Sequence, residues 1–242
     1  MLDALLSIYL IILFPCYKLW TNHHKNNTKN GNTRMHRYIK TIVLIALPLA
    51  ALLANDWNSA RAPEALGLDM PVSQAGQWGI IFALALLIAL AVAGPLRQKS
   101  FTDKERIEYL ALIKNDKLMP RTHGELWMFG IATLFIGVGW EILYRGFLLS
   151  SLAPMIGTAG AVVLSALAYG AAHGYKNPRQ FTASILAALL FALAFCASKS
   201  LWWLMLVHIG LPFIGILGGY NLLREDSRNS AAPSDSERQP IS

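Results

Sequence analysis

Between Leu126 and Ala172 the chain carries only two charged side chains, Glu141 and Arg145. Both fall inside Gly139-Trp140-Glu141-Ile142-Leu143-Tyr144-Arg145-Gly146-Phe147-Leu148, with charge-free apolar sequence on either side. A charge at bilayer depth costs roughly 2.5–3.5 kcal/mol on insertion scales, so such residues are paired or functional. Glu141 precedes Arg145 by one helical turn, on one face and in the favourable order for an ion pair. The pair therefore reads equally as a structural neutralisation or as part of a site.

The rest of the chain sets the same constraint. It has 242 residues, 55% hydrophobic and 14% charged, against about a quarter charged in soluble domains. Its apolar residues come in long runs and not as amphipathic stripes. The fold class this implies is all-α: a polytopic membrane helix bundle of about seven transmembrane helices. The expected spans are 4–19, 41–55, 78–96, 126–152, 158–173, 181–197 and 201–219, with Pro15 kinking the end of the first and a turn at Ala153-Pro154…Gly157. Residues 103–114 read as an amphipathic surface helix. From Arg224 the Ser/Asp/Arg/Pro-rich sequence reads as disordered. Three regions result: 1–125, N-terminal transmembrane helices with their loops; 126–219, a core; and 220–242, a disordered cytoplasmic tail.

The formal charge of +7 does not point to nucleic acid, because the basic residues sit between the apolar runs. Of 21 Lys and Arg, 18 fall in the loops 18–40, 97–121 and 176–179 and in the tail. The positive-inside rule then places those segments in the cytoplasm and the N-terminus outside, as in an integral protein of the cell (inner) membrane. Asn30 and Ser234 would be cytoplasmic and Ser73 external. Cys16 and Cys196 show no metal or redox spacing and read as buried small hydrophobes. His23 and His24, in a polar loop, read as solvated.

Two further polar groups lie in apolar surroundings. Tyr169-Gly-Ala-Ala-His173 ends the fifth span, and His208 sits inside the seventh. A lone helix-end histidine is commonly a satisfied interfacial residue. Depth gives His173 more weight: Gly157 is equidistant in sequence from Glu141 and His173, so a hairpin turning there sets them level on neighbouring helices. His208 enters from the same outer side, within reach after helix tilt. A carboxylate and two imidazoles in a buried, partly wet site form a water-activating set: the carboxylate as base, imidazole as orienter or oxyanion donor.

These residues resemble the CAAX-protease and bacteriocin-processing family of intramembrane endopeptidases, also called the Abi family. Its motifs are Glu-Glu-x-x-x-Arg, Phe-x-x-x-His and His-x-x-x-Asn on successive membrane helices. Here they correspond to Trp140-Glu141…Arg145, followed by Gly146-Phe147-Leu148, to Tyr169…His173, and to His208…Pro212, over residues 126–219. The resemblance implies hydrolysis of membrane-bound or lipidated peptides near the cytoplasmic face, with Glu141, Arg145, His173 and His208 as the catalytic set. Two positions depart from the pattern. Trp140 stands where the family has the Glu assigned to activating water, and Pro212 stands where it has the oxyanion-binding Asn; proline offers no donor. Glu141 either takes over as base or only holds Arg145. The family is described both as metal-dependent and as glutamate-type, so a divalent metal such as zinc on Glu141, His173 and His208 stays open. The competing reading is a catalytically degenerate membrane scaffold or bacteriocin self-immunity factor. A transporter or channel subunit has less support, because intramembrane charges are few and no internal repeat is found.

Overall fold

The computed structural model describes residues 1–25, 33–59, 61–175 and 177–231. In chain order the helices are α1 (Leu2–Ile8), α2 (Phe14–Lys25), α3 (Arg34–Ser59), α4 (Gln74–Lys99), α5 (Asp103–Asn115), α6 (His123–Trp140), α7 (Leu149–Ala172), α8 (Pro178–Ser198) and α9 (Trp202–Ala231). One π-helical segment, Tyr9–Leu13, joins α1 to α2, and another, Glu141–Leu148, joins α6 to α7. No strand occurs among the described residues. The protein is a helical membrane bundle, as the apolar runs require.

Six helical runs are long and apolar enough to cross a membrane, and the run His123–Ala172 is 50 residues long. That run is not straight. Gly157 has φ 74 and ψ 160, outside the helical region, and glycine reaches this conformation without steric cost. Beyond it the chain folds back: Ser165 Oγ donates to the Tyr144 carbonyl at 2.9 Å, and the Tyr144 and Tyr169 rings lie 5.0 Å apart. The arms before and after Gly157 are therefore the fourth and fifth of seven spans.

The outer surface of the bundle is apolar. Leu47, Trp78, Ile81, Ile88, Leu186 and Leu190 are all exposed, whereas Glu141 and Arg145 are buried. That inside-out distribution suits lipid as solvent. α3 packs on α6, α4 on α9, α6 on α9, α2 on α7, and α7 on α8. Glycines set two of these approaches, since van der Waals packing of small residues drives helix association in lipid. A Cβ on Gly137 would lie 3.1 Å from the Ile209 backbone nitrogen, and one on Gly170 would lie 3.0 Å from Ile185 Cα. The N-terminal spans share the core: Leu10, Phe14, Ile45 and Leu52 cluster with Trp140, Leu143 and Tyr144.

Four expectations change. Cys16 is exposed and Cys196 half-buried, where both were expected to be buried. The irregularity of the first span, expected as a kink at Pro15 near its end, is a π turn at Tyr9–Leu13 ahead of that proline, and the helix continues to Lys25. Pro15 cannot donate to a carbonyl one turn back, and the wider turn accommodates this. The second span is longer than 41–55, covering Arg34–Ser59. The segment expected to begin a disordered tail is helical through Ala231. Its apolar partners explain why: Leu222 and Leu223 pack with Leu110, Ile113 and Met119, while Lys114 pairs with Asp226 at 2.8 Å and Arg106 with Glu225 at 3.3 Å. α5 itself matches the expected surface helix and opens on a capping box, Thr102 with Glu105. Asn30, Ser234 and the side chains of His23 and His24 lie outside the described residues.

Candidate active site

The π-helical segment Glu141–Leu148 is buried along its whole length. π turns inside α-helices are rare and cluster at functional sites, because the extra residue re-aims side chains that a regular helix would stack. Here the segment carries both intramembrane charges. Glu141 is 0% exposed and Arg145 is 1% exposed.

Arg145 Nη1 donates to Glu141 Oε1 at 3.3 Å, forming the expected ion pair. Its Nη2 donates to the Ala188 carbonyl on α8 at 3.4 Å. The guanidinium carbon lies 4.1 Å from the centre of the Tyr169 ring and 5.6 Å from that of Phe191. Arginine suits such a place, since its planar cation both forks to oxygen and stacks on aromatic faces.

His208 reaches the same carboxylate oxygen from α9, with Nδ1 2.7 Å from Glu141 Oε1. Its other nitrogen, Nε2, lies 3.0 Å from the Tyr169 hydroxyl. A neutral ring satisfies both contacts when Nδ1–H donates to Glu141 and Nε2 accepts from Tyr169. Glu141 Oε1 is thus shared by a guanidinium and an imidazole. Its twin, Oε2, is buried with no hydrogen-bond partner among the described residues. A buried, unpartnered carboxylate oxygen is uncommon and calls for an explanation such as a water or a catalytic role.

His173 caps α7, and its ring lies 4.5 Å from that of Tyr169. Its Nδ1 is 3.1 Å from the Tyr169 carbonyl, so Nδ1–H donates there and Nε2 keeps its lone pair. No hydrogen bond joins His173 to Glu141. The geometry brings Glu141, Arg145 and His208 into direct contact and connects His173 to them through Tyr169. His173 is exposed, whereas the Glu141–Arg145 pair is sealed.

The two departing positions point elsewhere. Trp140 is 8% exposed and packs 4.9 Å from Phe14 of the first span and 5.5 Å from Tyr144. It works as an apolar anchor for the N-terminal helix. Pro212 lies inside α9 one turn past His208 and is exposed. Lacking an N–H, it withholds the bond that the His208 carbonyl would otherwise accept.

Tyr169 is the residue that the spacing argument did not use. It is 5% exposed, and a buried tyrosine hydroxyl must find a partner; that rule was the available signal. The metal alternative finds no support in the donor set. No group of three or more His, Cys, Asp or Glu placed to hold a metal ion occurs among the described residues. Both nitrogens of His208 are already engaged, by Glu141 and by Tyr169. In this arrangement His208 has no free nitrogen to offer a metal, so Glu141, His173 and His208 as placed do not fit a zinc site.

Residues 122–214 match the family described as type II CAAX prenyl endopeptidase Rce1-like. The matched stretch spans α6, the π-helical segment, α7, α8 and the first half of α9, which are the elements that carry the site. No curated protein and no solved structure matches the chain.

Proposed function

We propose, from the premise that residues 122–214 belong to the Rce1-like family of type II CAAX prenyl endopeptidases, that the chain is an intramembrane endopeptidase acting on membrane-bound or lipidated peptides. The observation that carries this reading is the carboxylate of Glu141. One oxygen is held by Arg145 and His208, and the other is buried without a partner. Oε2 is the free acceptor for a proton from water. Arg145 and His208 are positioning residues that hold the carboxylate by its other oxygen.

The step balances simply. Water adds its oxygen to the scissile carbonyl carbon while its proton passes to Glu141 Oε2. The carbonyl oxygen gains negative charge, for which the Arg145 guanidinium is a donor, joined by the Tyr169 hydroxyl once it turns from His208 Nε2. The C–N bond then breaks, and Glu141 returns the proton to the leaving nitrogen. His173, exposed at the end of α7, marks the side from which a peptide and water enter. The excess of basic residues on that side supports cleavage near the cytoplasmic face and an external N-terminus.

One observation favours the scaffold reading. Trp140 fills the family's water-activating position with a side chain packed on Phe14, as a structural anchor would be. The two readings part in a cleavage assay. The full chain, reconstituted in liposomes with a prenylated peptide ending in a CAAX sequence, releases the terminal tripeptide under the peptidase reading, and His173→Ala removes the activity. A folded protein that binds the peptide but releases nothing supports the scaffold.

A further inference from the structure

Away from the buried site, the junction of α5, the loop before α6 and the end of α9 encloses a cavity of about 470 Å³. Lys114, Arg121, Arg224 and Arg228 line it, together with Tyr220 and Ser227. Four cations on one cavity need an account, since like charges repel and each is normally matched by an acid. Among the described residues only the Lys114 side chain is matched, by Asp226. The Arg121 guanidinium donates to the Ile113 and Lys114 carbonyls at 3.1 and 2.6 Å. Arg224 Nη1 meets His123 Nε2 at 3.0 Å. The guanidinium groups of Arg121, Arg224 and Arg228 have no ion pair among the described residues: Glu125 accepts only from the Arg121 backbone N–H, at 2.7 Å, and Glu225 pairs with Arg106.

The height of the cavity narrows the ligand. From Trp202 to Arg224 a helix rises about 33 Å, close to the ~30 Å hydrocarbon thickness, so the arginines emerge at headgroup level. α5 at that level exposes Ile107 and Leu112, 68% and 70% accessible, and Leu118 follows at 44%. Lys104 and Glu108 stand between them on the same exposed face, so α5 offers apolar and charged side chains together, as suits the boundary between lipid and water. Basic pockets between helices at this depth suit anionic headgroups, and planar guanidinium groups match phosphate oxygens two at a time.

We propose that this cavity is a binding site for the phosphate of an anionic phospholipid headgroup, gripped by Arg121, Arg224 and Arg228. Lys114, neutralised by Asp226, and the Ser227 hydroxyl complete the rim. The bound lipid bridges α5 and the end of α9 and fixes the membrane depth of α9, the helix that carries His208. The site is independent of whether the chain cleaves peptides.

Native mass spectrometry of the full chain in detergent, titrated with phosphatidylglycerol, phosphatidylcholine or inorganic phosphate, tests it. Phosphatidylglycerol is expected to bind at least about fivefold more tightly than phosphatidylcholine, the difference expected from one interfacial arginine. Arg228→Gln, which removes no contact within the described protein, should erase about that much of the preference, and Arg121→Gln should do likewise. Lys104→Gln on exposed α5 surface, which takes away the same charge outside the cavity, should leave it unchanged. The proposal fails if Arg228→Gln and Arg121→Gln keep the full preference. Equal loss from Lys104→Gln overturns it in favour of diffuse charge. Displacement of the lipid by inorganic phosphate at matched concentration overturns the lipid assignment in favour of a soluble phosphate.

Discussion

His208 on α9 and Glu141 on the π-helical segment, 67 positions apart in sequence, meet with Nδ1 and Oε1 2.7 Å apart. That contact joins the two ends of the family-matched stretch and converts an ion pair within one helix into a site between helices. It also makes the site depend on helix packing, because α6 and α9 approach through Gly137, against which Ile209 lies.

Arg145→Ala is expected to destabilise strongly. It leaves the 0%-exposed Glu141 with His208 alone and frees the Ala188 carbonyl. Removing one partner of a buried pair costs about 3–5 kcal/mol. Folded yield and thermal unfolding in detergent should both fall, and Arg145→Lys should recover only part of the loss, since an ammonium cannot stack on Tyr169 as the guanidinium does.

Tyr169→Phe installs the residue that the family pattern carries and removes the hydroxyl at His208 Nε2. Stability should drop by only about 1 kcal/mol, the worth of one hydrogen bond. If the hydroxyl stabilises the developing oxyanion, kcat should fall about 100-fold with KM unchanged. A merely structural role leaves kcat intact, so the split between kcat and KM decides the assignment.

Trp140→Ala should cost about 3–5 kcal/mol, the usual price of emptying an aromatic site in a core. The loss arises at Phe14 and Tyr144 and not at Glu141. Residual folded protein should therefore cleave at near wild-type rate. Under the scaffold reading partner binding falls with it.

The proposed external position of the loop between α3 and α4 is open to a labelling test. In a chain with Cys16 and Cys196 replaced, a cysteine at Ser73 should react with an impermeant thiol reagent on intact cells, and cysteines at Asn30 or Ser234 should react only after permeabilisation. Labelling at Asn30 without permeabilisation reverses the orientation.

Much of this architecture was readable from charge alone. Seven apolar spans, a reversal at Gly157, and the Glu141–Arg145 pair all follow from where charges and glycine stand, because lipid tolerates neither unpaired charge nor open backbone. Equal depth set Glu141, His173 and His208 near one another but did not say which histidine meets the carboxylate; in the structure it is His208. Helical rise fixes height but not rotation. His173 instead stacks on Tyr169, whose hydroxyl the family pattern does not contain. The end of α9 escaped for a different reason. Its polar composition matches disordered sequence, and only contacts with α5, distant in the chain, hold it helical.

The central claim is that the carboxylate of Glu141 takes the proton from water. Glu141→Gln keeps the size of the side chain and one hydrogen-bonding oxygen but cannot accept that proton. Tripeptide release from a prenylated peptide should be measured across pH in liposomes, for wild type and variant brought to equal folded amounts. The account predicts a loss of about 100-fold or more in kcat for the variant, with peptide binding retained. Cleavage by Glu141→Gln at the wild-type rate contradicts it and leaves Glu141 as the counter-ion of Arg145.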